Sequence, residues 1–476
     1  MTDTRLIVGP FNRVEGDLEI RLDVSDGAVQ AAYTNSPLFR GFERILVGKA
    51  PEDALTITPR ICGICSISQS VAAARALADV AGVAPTPAAE KAAAMLHAVE
   101  NLADHVTHFN LFFMPDFARP AYTSHPWHAD AVARFLAAKG SAIHAAIEAR
   151  AGLLHIVGLL AGKWPHTLAI QPGGMTRAMT ARDKVRIASD LRRFRRYLER
   201  NLFGAPLEAF ASLSSINELE GWRTGDVGFF LMLASELGLD ISGRGAARYL
   251  SFGAYPTNEG PLFKRGIWQN GERRDLDSSE IYEDLSRAWM LGESRHPSSG
   301  VTVPDELMRE DAYSWCKAPR IDGHGFETGA LSRQIMDGHP LALALAGEGG
   351  VRARIVGRFL ETARTQILLE RLLSEIDPSG PFMQSVDLPY QGMGEGLVEA
   401  ARGALGHWVQ IRNGVIENYQ IIAPTTWNFS PRDSAGTPGP LEAALVGANV
   451  KEGEETPISV QHIVRSFDPC MVCTVH

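Results

Sequence analysis

Two Cys-x-x-Cys motifs stand at opposite ends of this chain, Cys62-Gly63-Ile64-Cys65 and Cys470-Met471-Val472-Cys473, and take four of its five cysteines. A fold that unites them creates a four-thiolate pocket, so head and tail must meet over everything between. Thiolates select zinc, iron-sulfur clusters, copper(I) or a redox nickel centre, whereas magnesium and calcium prefer oxygen. Five cysteines in 476 residues, with no apolar leader over residues 1–10, argue for reduced thiols in an intracellular chain. On spacing alone, a structural zinc site is the commoner use of such pairs.

Length and charge narrow the class. The chain is long enough for two or three substructures, and 45% hydrophobic content can bury them. With 46 basic against 55 acidic residues, the net charge of -9 gives no electrostatic case for nucleic acid or an anionic membrane. Arg192, Arg193, Arg195, Arg196 and Arg200 recur at helical spacing and read as a solvated face. No apolar run approaches the roughly 18 residues of a membrane span; 153–161 comes closest, and His155 interrupts it.

Periodicity predicts an α+β chain dominated by helices. Residues 1–60 read as β-rich: Leu18, Ile20, Leu22 and Val24 alternate with polar residues before an Asp26-Gly27 turn. A hairpin is predicted over 407–422 around Asn413-Gly414. Long helices are expected over 88–113, 128–160, 181–202 and 351–376, with Thr180 and Asp183 as a capping box. Segments 212–217 and 253–271, rich in Gly, Ser and Asn, read as loops. The organisation expected is an N-terminal β-rich segment (1–60), a helical core (61–240), a loop-rich α+β segment (241–345) and a C-terminal helix, hairpin and metal-binding tail (346–476), intertwined as one unit.

The residues around the cysteines are more specific than their spacing. Arg60-Ile61 leads into Cys62, with Arg13-Val14-Glu15-Gly16 and Arg40-Gly41-Phe42-Glu43 upstream; Asp468-Pro469 leads into Cys470, and Thr474-Val475-His476 follows Cys473. Asp104-His105, Arg402-Gly403-Ala404-Leu405-Gly406-His407-Trp408 and Pro424-Thr425-Thr426-Trp427-Asn428 complete the set. Across essentially the whole chain this resembles the large, catalytic subunit of the nickel-iron hydrogenases. The fold implied is a central bundle of long helices with small N- and C-terminal β elements.

The resemblance implies a set of roles. Cys62, Cys65, Cys470 and Cys473 would bind nickel, with Cys65 and Cys473 bridging to an iron that carries one carbonyl and two cyanide ligands. One thiolate, with Cys470 a terminal ligand, would accept a proton, and Arg402 is a second candidate base, held by Asp104 and Asp468. Thr425 would donate to a cyanide, and Glu15 would be the first station for departing protons. Glu43, the Ile421 carbonyl and His476 correspond to a magnesium site, although magnesium seldom takes nitrogen. Such a reaction needs an electrophilic metal beside a base, and zinc lacks the redox chemistry to pass electrons on.

Departures from the common pattern point to a subtype. The motif usually ends in His where this chain has Gln69, which can donate but never changes charge. Ile64 and Phe112 are bulkier than the Val and Leu usual at the inner mouth of the gas channel and would narrow it for oxygen. These features resemble the regulatory, hydrogen-sensing members, which lack the C-terminal extension that other members lose after the position of His476. Asp17 and Ala401 also depart from the pattern, without an assigned role. Implied partners are a small subunit carrying iron-sulfur clusters, a second heterodimer and a histidine kinase, all in the cytoplasm. The alternatives are an energy-linked uptake hydrogenase, a metal-free scaffold like the related respiratory-complex subunit, and a structural zinc protein. Eight histidines, His97, His105, His108, His125, His128, His144, His155 and His166, are expected mostly on buried helices; Cys316 reads as a packed thiol and Gln171-Pro172-Gly173-Gly174 as a tight turn.

Overall fold

The computed structural model describes residues 4–476. Three antiparallel strands open the chain, β1 (Thr4–Val8), β2 (Glu19–Ser25) and β3 (Ala28–Asn35). Ile20, Leu22 and Val24 face inward as the alternation requires. Asp26 and Gly27, both at positive φ, make the two-residue turn whose twist matches the strands it joins. The β-rich reading of 1–60 ends there, because Phe42–Leu46, Ala54–Ile57 and two 3-10 turns follow. Pro51 and Pro59 sit in the first turn of those 3-10 segments, where their lack of an N–H costs nothing.

The helical core comprises α1 (Ser66–Ala81), α2 (Pro87–Thr107), α3 (Ser141–Ala161), α4 (Ala181–Tyr197), α5 (Ala330–Asp337) and α6 (Val351–Glu375). Both α2 and α4 continue into single π turns, to Phe113 and Phe203, which accounts for the longer helices expected there. The predicted helix over 128–160 is two, His128–Phe135 and α3, broken where Ala138 takes φ 62°. Gly140 folds back there so tightly that a Cβ would lie 2.2 Å from the Arg134 carbonyl. Thr180 and Asp183 form the capping box.

Segment 253–271 is no loop. Tyr249–Thr257 (β4) pairs with Gly260–Gln269 (β5), burying Leu250, Phe252, Phe263 and Ile267. Its glycines occupy positive-φ kinks at Gly253 and Gly266, so turn-like composition concealed an apolar alternation. Segment 212–217 is irregular only to Ser215, which caps the short helix Ile216–Glu220. Gln171 to Gly174 do form a tight turn.

Of the eight histidines, His97, His105 and His108 are buried and the other five are partly or fully exposed: His128 on a short helix, His144 and His155 on α3, and His125 and His166 in bends outside the helices. Among the described residues α3 alone is long and apolar enough to cross a membrane by length and composition, with 33% of its apolar window buried. Polar Glu148, Arg150 and His155 divide that window, which is why the sequence reads as shorter runs.

The C-terminal sheet, β6 (Gly392–Ala400), β7 (Gly403–Arg412) and β8 (Val415–Ile422), lies on α1. Alternate glycines of β6 meet the alanine face of α1: a Cβ on Gly394 would sit 2.5 Å from the Ala76 carbonyl, and one on Gly396 2.0 Å from that of Ala72. Because α1 begins directly after Cys65, this side-chain-free seam fixes one cysteine motif against the sheet that leads into Arg402. Gly396→Ala should therefore cost about 1–3 kcal/mol as an overpacked site and lower metal content as α1 shifts. Calorimetry and metal analysis of the purified protein check both.

Candidate metal centre

Head and tail are stitched together by backbone before any sulfur is considered. The Glu15 N–H donates to the Pro469 carbonyl at 3.3 Å, the Met471 N–H to the Glu15 carbonyl at 2.7 Å, and the Arg40 N–H to the Val475 carbonyl at 2.8 Å. The Arg40 guanidinium completes the seam by donating to the carbonyls of Ile61 and Val472, each the neighbour of a cysteine. Arg13 holds the π turn that ends α2 through the Phe112 carbonyl at 3.0 Å and the Asp116 carboxylate.

The four cysteines consequently converge. Their Sγ atoms lie within 4.8 Å of one another and all four residues are buried. Cys470 and Cys473 sulfurs are 2.9 Å apart, Cys65 and Cys473 3.4 Å, and Cys62 and Cys470 3.4 Å. Cys62 is held well below the ordinary thiol range by hydrogen bonds from Cys470, Cys473 and Cys65. Desolvation raises Cys470 and Cys473, and the hydrogen bond with Cys470 raises Cys65. Four thiols crowded together away from water resist ionising together. Full ionisation calls for a soft cation, and the donor set fits one.

Above the sulfurs, Arg402 is buried between two carboxylates. Its Nε donates to the Asp468 carbonyl at 3.0 Å, and Nη2 donates to Asp104 Oδ1 at 3.2 Å and Asp468 Oδ1 at 3.3 Å. Nη1 lies 2.9 Å from Asp104 Oδ2 without the alignment of a hydrogen bond, so both atoms retain unused capacity. Asp468 stands at φ 58°, a conformation few residues adopt, directly before Pro469-Cys470. Burial lifts Asp104 to about 7, while Arg402 and its neighbours His108 and Arg358 outweigh burial and hold Asp468 below the usual range.

Thr425 Oγ1 accepts the Cys470 N–H at 3.1 Å, which leaves its hydroxyl proton available. Gln69 is fully buried on α1; neutral His407 donates from Nε2 to Gln69 Oε1 at 2.8 Å and accepts at Nδ1 from the Tyr419 hydroxyl at 2.8 Å. The Gln69 amide nitrogen then has no partner among the described residues. Glu15, half-buried and bridged through its backbone to Cys470, is raised by desolvation first and then by the charge of Cys62. Ile64 packs on the main core and donates its N–H to Cys62 Sγ at 3.3 Å, whereas half-buried Phe112 lies outside that cluster. Asp17 is exposed; the buried Ala401 carbonyl accepts from Arg333 at 2.8 Å.

A second gathering lies at the tail. Glu43 Oε1 accepts the Ile421 N–H at 2.8 Å and lies 3.7 Å from His476 Nε2, which contacts the Ile421 carbonyl. Lys317 bridges Glu43 at 3.4 Å and Glu283 at 2.8 Å. Two buried carboxylates against one ammonium, with Glu283 Oε1 unpartnered, leave room in the charge balance for a cation.

Sequence reading named Asp104 and the histidines of this support but missed Glu100 and Asn101. Along one face, α2 carries His97, bonded to Ser68, Glu100, Asn101, Asp104 and His105, and His108 follows in its π turn. Glu100 accepts the N–H groups of Ile67 and Ser68 at 2.8 and 2.9 Å, capping α1 from a neighbouring helix. Polar residues at helical spacing within an alanine-rich helix were the available signal. Cys316 is buried, its thiol donating to the Lys317 carbonyl.

Arg402→Lys keeps the charge but loses the planar fork. Turnover of the metal-loaded protein should fall by roughly a hundredfold or more, with metal content unchanged; activity assays beside elemental analysis test this.

The chain matches the family described as nickel-dependent hydrogenase over residues 40–125 and 226–476. It is 29% identical to the periplasmic [NiFeSe] hydrogenase large subunit of Desulfomicrobium baculatum, over 99% of this chain and 95% of that one. It is 26% identical to the quinone-reactive Ni/Fe-hydrogenase large chain of Wolinella succinogenes, over 99% and 96%. The solved Ni-Fe-Se hydrogenase from D. vulgaris Hildenborough superposes with a TM-score of 0.87 at 26% identity, covering 100% of both chains. With its cysteines gathered as that chemistry requires, the chain belongs to the nickel-dependent hydrogenase family, as a large subunit.

Proposed function

We propose that this subunit splits dihydrogen heterolytically at a nickel-iron centre with carbonyl and cyanide ligands, and that it serves as a cytoplasmic hydrogen sensor. The observation that carries the reaction is the buried four-sulfur cluster beneath Arg402. When bound, the bimetallic group supplies the electrophile that polarises hydrogen and the redox capacity to receive its electrons. The protein's share is to hold bases at the site and lead the proton away. Cysteine sulfur is the proton acceptor at hand; Arg402, expected as a second base, is a guanidinium with no acceptor, kept charged by Asp104 and Asp468 against its burial, so it serves as a donor. Glu15, lifted by burial beside Cys62, suits a relay between sulfur and solvent. Thr425, with its free hydroxyl proton, is assigned to a cyanide, and Glu43, the Ile421 carbonyl and His476 to magnesium.

With four cysteines engaged and Cys316 packed away, no thiolate remains for a cluster, so electron exit needs a small subunit carrying iron-sulfur clusters. Sensing is supported by Gln69: its amide can donate toward a sulfur but cannot titrate, which suits a centre tuned for occupancy over turnover. In this reading the heterodimer pairs with a second and signals through a histidine kinase. Energy-linked uptake is the second reading, favoured by the relative named for quinone reactivity.

Cys470→Ser should abolish nickel loading and hydrogen oxidation, while the parent shows nickel and iron near one each and infrared bands of carbonyl and cyanide. Zinc alone, or normal activity in the variant, would overturn the assignment. Ile64→Val with Phe112→Leu should speed inactivation under air; an unchanged rate would remove these side chains from the gas route.

A further inference from the structure

Arg402 and Asp104 come from a strand turn and a helix distant in sequence, and each is gripped a second time from behind. Arg333, on α5 and wholly buried, spends all five of its N–H groups. Nε and Nη2 donate to the two oxygens of Glu361, both at 2.7 Å; Nη1 donates to Glu399 at 2.5 Å and the Ala400 carbonyl at 2.9 Å; Nη2 also donates to the Ala401 carbonyl at 2.8 Å. Those carbonyls belong to the two residues before Arg402. Glu361, on α6, in turn accepts His105 Nε2 at 2.9 Å, and His105 is the residue after Asp104. The contacts close a ring from Asp104 to His105, Glu361, Arg333, Ala401, Arg402 and back to Asp104.

We infer that Arg333 and Glu361 are positioning residues that set the spacing of Arg402 and Asp104 over the sulfur cluster, an inference that rests on the function proposed above. A buried ion pair kept for stability alone gains little over apolar packing, and it has no need to grip main-chain carbonyls on one side and the neighbour of a catalytic carboxylate on the other. The turn it grips is further confined, because Gly403 at φ 134° packs so closely that a Cβ would lie 1.9 Å from Thr328 Oγ1. Glu361 stays ionised, drawn down to about 2 by Arg333 and His105 against its burial, so the clamp persists across the working pH range.

The test compares Glu361→Gln and Arg333→Lys with Asp433→Asn, which breaks the equally buried Arg320–Asp433 pair away from the ring. In the assembled heterodimer, the two ring variants should keep nickel and iron but lose about a hundredfold in kcat, with KM for hydrogen unchanged and the cyanide infrared bands displaced. Asp433→Asn should lower the melting temperature comparably and leave kcat and the bands in place. A kcat loss no greater than that of Asp433→Asn at matched melting temperature would overturn the inference. For a ring variant that fails to load metal, a crystal structure decides: a changed Arg402–Asp104 separation supports the inference and an unchanged one overturns it. A parent heterodimer without nickel would overturn the proposed function and this inference together.

Discussion

Four sulfurs drawn from motifs 408 positions apart have to be buried within one small volume. Thiols pressed together away from water cannot all ionise, so this cluster is the least comfortable part of the protein until a soft cation joins it. The surrounding structure holds the sulfurs regardless, through a short parallel bridge at Glu15 and Cys470, the Arg40 fork and the glycine–alanine seam between α1 and β6. Each acts on backbone, which leaves the sulfur side chains free to serve as ligands.

Around this cluster the core is unusually polar. Arg333, Arg354, Arg402 and Arg465 are buried, each opposite at least one buried carboxylate. Such pairs add little net stability, because desolvation offsets their attraction, but losing one partner is costly. Their effect is to make positions discrete: a guanidinium with its N–H groups engaged has one seat. A site that must keep Arg402 close to, yet imperfectly bonded with, Asp104 gains from that rigidity.

Much of the centre was legible in the sequence because its chemistry is local. Paired cysteines, the Arg-Val-Glu-Gly and Asp-Pro-Cys contexts and the Asn413-Gly414 turn each declare themselves within a few residues. The helices were legible through periodicity, although π turns and the positive φ of Ala138 displaced their ends. What escaped was long-range. The hairpin over 249–269 was hidden because its glycines serve kinks inside strands. Arg333, Glu361 and Glu100 form no motif; their importance arises only when three helices and a strand turn enclose them. The histidines misled in the other direction, since only those of α2 and its π turn among the eight are buried.

One face of α2 reaches into most of the interior. His97, Glu100, Asn101, Asp104, His105 and His108 all point from it to different parts of the interior: the start of α1, the β4 and β6 strands, Arg402, α6 and the tail near Arg465. A helix has a single azimuth, and slipping it by one residue swings every side chain through about 100°. No member of the row can drift alone, so the helix works like the toothed bar of a lock, either seated at all six notches or withdrawn from every one.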